Sequence, residues 1–128
     1  MSDGALVWRF RAAPLPRRIF SYEQLESVWP VHGSVLLHND ELVFTAGRSS
    51  YLDGGIYLYR LDPIRGKMLS CSVISHLDPE TGKQTAKEAR GTFDSEGTIS
   101  DILSADAETL FLKHMAFDAS GNQIDVAR

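Results

Sequence analysis

The chain has 128 residues, length enough for one ordinary domain, with 43% hydrophobic and 23% charged side chains, the usual proportions of a globular protein. Its 17 acidic and 13 basic residues leave a net charge of −4, which gives no general attraction for nucleic acid or anionic lipid. The single cysteine, Cys71, excludes an intrachain disulfide and a cysteine zinc cluster, and no run approaches the ~20 apolar residues of a membrane span.

In chain order, Met1-Ser2-Asp3-Gly4 lacks the basic start and apolar centre of a signal peptide, so the chain as written is expected in the cytoplasm. Arg9, Arg11, Arg17 and Arg18 put four arginines within ten positions. Such clusters are commonly solvated or paired with carboxylates; a phosphate site is the sharper alternative. Ser21 and Gln24 stand in capping-box spacing with Tyr22, Leu25 and Val28 on one face, which predicts a short helix or an ordered loop over Ser21–Val28. Gln24, Glu26, Trp29 and His32 then lead toward the first strand and are candidates to line a binding surface, with packing the plainer role for Trp29-Pro30. His32 and His38 are not a metal pair, because six residues of strand separate them by about 20 Å.

From Ser34 onward the signals are strands and turns. Ser34–His38 and Leu42–Ala46 flank the polar turn Asn39-Asp40-Glu41, and Ile56–Leu61 and Met68–Ile74 flank Asp62–Lys67, where Pro63 and Gly66 suit a turn. Between these hairpins lies Gly47–Gly55. Its Arg48, Ser49, Tyr51 and Asp53 are the strongest ligand-binding candidates in the chain. The competing role is structural, with Arg48 and Asp53 paired to brace the loop. A serine nucleophile is unsupported, for no Gly-x-Ser-x-Gly elbow is present. Asp78 to Asp94 is polar and without strand pattern, whereas Ile99–Leu103 and Thr109–His114 resemble two further strands. Asp118–Asp125 has the look of a calcium loop but places its glycine too early and lacks the bidentate glutamate, so it is a turn.

Four short antiparallel strands joined in order make a meander, and these strands are apolar on both faces, as in a sheet packed between two others. The expected fold is therefore all-β, built of antiparallel four-stranded β-meander blades of a β-propeller. A β-sandwich or small barrel ranks second. A weak repeat supports the propeller: Leu61-Asp62-Pro63-Ile64-Arg65-Gly66-Lys67 is echoed by Leu77-Asp78-Pro79-Glu80-Thr81-Gly82-Lys83 and, more loosely, by Phe117–Asn122. The expected division is the end of one blade at 1–13, a complete blade at 28–76, a polar insertion at 77–98 and the start of the next blade at 99–128.

The stretch Asp53–Lys67 resembles the PQQ-like β-propeller repeat, an apolar strand ending in Leu-Asp, a Thr-Gly-Lys-type turn and a strand carrying tryptophan. Gly4–Phe10 resembles the end of one such repeat, with Trp8 as the motif tryptophan. Arg11-Ala12-Ala13-Pro14, Gln24–Ser27 and Gly47–Asp53 are similar to segments of a bacterial group of these proteins. The resemblance implies a ring of six to eight blades, of which this chain holds about two, in a family whose members are often periplasmic or exported. That family includes PQQ- and calcium-dependent quinoprotein dehydrogenases and cofactor-free scaffolds such as the outer-membrane assembly lipoprotein BamB. The chain departs from the enzymatic branch: it has no adjacent cysteine pair, no convincing Glu/Asn/Asp calcium set and no tryptophan in Met68-Leu69-Ser70. The expectation is a non-catalytic segment without a cofactor, serving as a scaffold or binding surface for a protein or small ligand. Its other partners would be copies of itself or the remaining blades of a longer propeller. The alternatives are part of a PQQ-dependent dehydrogenase, with Trp8 and the Arg48 loop near the quinone, and a carbohydrate- or peptide-binding propeller using Trp29 and Tyr51.

Overall fold

A computed structural model describes residues 3–83 and 98–125. Among these the chain is all-β, in antiparallel sheets of two, four and four strands. The middle sheet is the meander β3 (Leu36–His38), β4 (Glu41–Ala46), β5 (Ile56–Leu61) and β6 (Met68–Ile74), with strands adjacent in sheet as in sequence. The β3–β4 turn is tighter than Asn39-Asp40-Glu41: both Asn39 and Asp40 take positive φ and His38 pairs with Glu41, so the turn has two residues. That backbone twist matches the twist of the flanking strands, which favours it for hairpins.

Alternation along β4 and β5 divides the middle sheet into two apolar faces. Val43, Ile56, Leu58 and Ile74 point one way and pack against Leu103, Leu110, Leu112, Met115 and Phe117. Those partners belong to a second meander: β7 (Leu103–Ala105), β8 (Leu110–Leu112), β9 (Met115–Phe117) and β10 (Gln123–Ile124). Each large side chain fully buried at such an interface contributes about 1.5–3 kcal/mol from apolar burial. Phe44, Ala46, Tyr59 and Leu61 point the other way, into a second core with Val28, Trp29, Trp8, Phe10, Ala12 and Ala13. The middle sheet is thus covered on both faces, as its two-sided apolar pattern predicts.

The two meanders approach each other at their first strands. β3 lies beside β7, a His38 ring nitrogen stands 2.8 Å from the Asp106 carbonyl oxygen, and the Leu103 N–H donates to Ser34 Oγ at 3.1 Å. A Cβ on Gly33 would collide with the Asp101 backbone, so the chain segments preceding β3 and β7 also touch.

Two segments differ from the sequence expectation. Ser21–Val28 forms no helix: β1 (Arg18–Ser21) and β2 (Gln24–Ser27) make a hairpin, and Ser21 pairs with Gln24 across it. Tyr22 and Glu23 both have positive φ, and the three-residue spacing that suggested a capping box is the spacing across this two-residue turn. In the C-terminal region Ile99–Leu103 is mostly a lead-in, with β7 beginning at Leu103. Thr109–His114 ends in a turn at Lys113-His114 that leads into β9, so four strands stand where the pattern indicates two.

The repeated turns are alike in atomic detail. Asp62 N–H donates to the Lys67 carbonyl, Gly66 N–H to the Asp62 carbonyl, and the Asp62 carboxylate accepts from the N–H groups of Ile64 and Arg65. Asp78, Gly82 and Lys83 repeat the pattern, and Asp118, Gly121 and Asn122 close a turn one residue shorter. Hydrogen bonding favours the ionised form, holding all three carboxyls below the usual range: chiefly Arg65 at Asp62, and backbone N–H groups at Asp78 and Asp118. The polar stretch expected from Asp78 to Asp94 is a turn through Lys83, and its remainder lies outside the described residues.

Candidate functional site

The Gly47–Gly55 loop joins β4 to β5 and is tied down along its length. Gly47 N–H donates to the Pro30 carbonyl at 3.0 Å, and Ser100 Oγ donates to the Gly47 carbonyl at 2.8 Å. Ser50, fully buried, exchanges two bonds with Thr98: its N–H donates to the Thr98 carbonyl and its Oγ accepts from the Thr98 N–H, each at 2.9 Å. Its carbonyl accepts from His76 N–H at 3.0 Å. The loop therefore stitches the middle sheet to the lead-in of the second meander.

Within the loop, Arg48 and Asp53 form the brace that their positions suggest. Arg48 donates to Asp53 Oδ2 through Nε at 3.1 Å and Nη2 at 2.5 Å, while Asp53 Oδ1 meets Arg17 Nη1 at 3.3 Å. The Asp53 side chain is only 6% exposed, and two cations compensate its burial. Ser49 Oγ accepts from Tyr51 N–H at 3.2 Å, and the Tyr51 ring lies 5.5 Å from that of His76. The polar groups of the loop are largely spent on one another.

Trp29 joins this cluster from the chain after β2. It is buried, packs edge-on to Tyr57, and donates Nε1–H to the Asp53 carbonyl at 3.1 Å. Gln24, Glu26 and His32, the other candidates, are exposed and share no hydrogen bond or ion pair with the loop. Arg17 is the site residue the sequence assigned only to a basic cluster, since its attachment to Asp53 depends on how the N-terminal segment lies. Among the described residues no group of three His, Cys, Asp or Glu side chains is placed to hold a metal ion, and no helix is long and apolar enough to cross a membrane.

Beyond Arg17 the surface opens into a groove of about 520 Å³ between the Phe10–Arg18 segment and Ser27–Val31. A smaller apolar groove of about 230 Å³ lies beside Trp8, Phe10, Val31, Val35 and Phe44. These two openings border the second core, not the aliphatic interface.

No family model, curated protein or solved structure matches the chain. The braced loop presents a rigid rim, and the grooves beside it offer the free surface.

Proposed function

We propose that the chain is a non-catalytic segment of a β-propeller of the PQQ-like kind, whose blades build a ring and whose loops supply a binding surface. The observation that carries this reading is the contact between Trp8 and the β5–β6 turn. The indole lies where a Cβ on Gly66 would stand, and its Nε1–H donates to the Pro63 carbonyl at 2.9 Å. The tryptophan of one repeat-like segment thus seats on the turn of the next. That is how an array of units, each unable to bury its own faces, gains nearest-neighbour locks. Stacked meanders that meet at their first strands agree with blades converging on an axis.

The Arg48–Asp53 brace supports the non-catalytic reading, since the two charged side chains of the loop are engaged with each other. The test is the native mass of the purified chain by light scattering, with a thermal melt on the same sample. A discrete ring-sized oligomer that melts cooperatively is the expected result. A stable, sharply melting monomer would overturn the propeller reading. Tight stoichiometric binding of PQQ with calcium, abolished by Arg48→Ala in a variant of unchanged circular dichroism, would overturn the non-catalytic one.

A further inference from the structure

The arginine cluster of the N-terminal segment has no part in the propeller reading, yet the fold gathers most of it into one place. Arg11, Arg17 and Arg18 all line the larger groove, together with Phe10, Leu15 and Trp29, and no acidic side chain lines it. Arg17 touches Asp53 at one nitrogen and is still 60% exposed. Arg11 and Arg18 have no carboxylate partner among the described residues. In a chain of net charge −4, three guanidinium groups gathered beside the one carboxylate of Asp53, which Arg48 also engages, repel one another, and an arriving anion relieves that repulsion.

The walls of this groove are held in place before any ligand arrives. The Ala12 carbonyl accepts from Tyr59 Oη at 2.7 Å, the Arg17 carbonyl accepts from Val28 N–H at 3.4 Å, and Trp29 is anchored to Asp53. Preorganised walls reduce the ordering cost of binding. Guanidinium groups present planar forks that match the oxygens of a phosphate, and a phosphate monoester brings about −1.5 to −2 charges at neutral pH. A single carboxylate would leave more of the positive charge uncompensated. Phe10 and Leu15 supply apolar wall that charge alone does not require.

We propose that this groove binds a small organic phosphate monoester, its phosphoryl oxygens held by Arg11, Arg17 and Arg18 and its apolar body laid against Phe10 and Leu15. The groove adjoins the Arg48 loop through Arg17 and Trp29 but needs no ring closure, so it stands or falls apart from the propeller reading.

The test uses the full chain and phenyl phosphate as probe, followed by calorimetry and amide chemical shifts, with inorganic phosphate and phenol as matched controls. Saturable one-to-one binding of phenyl phosphate is expected, weaker for inorganic phosphate and weaker still for phenol, and falling with added salt. Arg11→Gln and Arg18→Gln should each weaken it about tenfold, the loss of a charge-assisted hydrogen bond. Arg65→Gln, at an exposed arginine paired with Asp62 in a turn outside the groove, should leave it unchanged. Absence of saturation, equal affinity for inorganic phosphate, equal affinity for phenol, or an equal loss in Arg65→Gln would each overturn the proposal. Unchanged melting of the arginine variants separates lost binding from lost fold.

Discussion

The two faces of the middle sheet meet different partners by different means. Toward the second meander it presents Val43, Leu58 and Ile74, answered by Leu110, Leu112, Met115 and Phe117 across a sheet-on-sheet contact. Toward the N-terminal segment it presents Phe44, Tyr57 and Tyr59, answered by Trp8, Phe10 and two alanines from a strand-free stretch of chain. The first contact is almost purely aliphatic with one phenylalanine, and it is held by burial. The second is aromatic and carries polar tips: Trp8 Nε1 and Tyr59 Oη each find a backbone carbonyl. A single extended segment cannot cover a sheet as another sheet can, so directional bonds and the edge-to-face contacts of Phe10 with Phe44 and Tyr59 hold what area alone would not. The grooves open on this side for the same reason.

The largest expected effect falls on the aliphatic side. Phe117 is 2% exposed in β9, and Phe117→Ala should cost about 3–5 kcal/mol in denaturant unfolding, the usual range for truncating a buried aromatic. A loss below 1 kcal/mol would mean that the second meander is not packed on the middle sheet as described.

A paired substitution sharpens the aromatic side. Gly66 and Gly82 have nearly the same positive φ, 65° and 66°, in turns of the same hydrogen-bond pattern. At either, alanine carries the left-handed backbone cost of about 1–2 kcal/mol. At Gly66 the added methyl would also strike the Trp8 ring, whereas at Gly82 nothing described lies within 4 Å. Gly66→Ala should therefore destabilise more than Gly82→Ala, and it alone should raise hydrogen exchange in residues 5–13. Equal effects would remove the case for the lock.

The smallest effect is one of pH. Burial first, then the neighbouring Cys71 and Tyr57, push Tyr59 up to about 12. A group whose folded value is raised stabilises fully below its ordinary value, near 10 for tyrosine, and loses that stabilisation as pH rises through the folded value. The hydroxyl that donates to Ala12 should thus be lost in alkaline solution, loosening the N-terminal segment while the aliphatic interface holds. Tyrosinate absorbance should show a late phase near pH 12, and Tyr59→Phe should abolish it.

Much of this was legible one residue at a time. β4, β5 and β6 lie within a residue of where their apolar runs place them, because each strand pairs with its neighbour in sequence and is bounded by residues that favour turns. The Asp62 and Asp78 turns follow from Asp at the start and Gly near the end, a local chemistry that needs no distant partner. The Arg48–Asp53 brace was visible for the same reason, as two opposite charges five residues apart across a loop.

What escaped the sequence depends on contacts between distant segments. Tyr22-Glu23 carries none of the usual hairpin-turn residues, so the β1–β2 register was hidden behind a helix-like spacing. The Lys113-His114 turn stands between two apolar runs, Leu110-Phe111-Leu112 and Met115-Ala116-Phe117, with no glycine, proline, asparagine or aspartate to mark it. Arg17 reaches Asp53, Ser50 binds Thr98 and Trp8 rests on Gly66 across 36, 48 and 58 positions. Composition and periodicity determined that this chain would fold as meanders with two apolar faces, since alternation is a local property of a strand. Which segment covers each face was decided only in three dimensions, where shape and hydrogen-bond partners select among surfaces that periodicity makes equivalent.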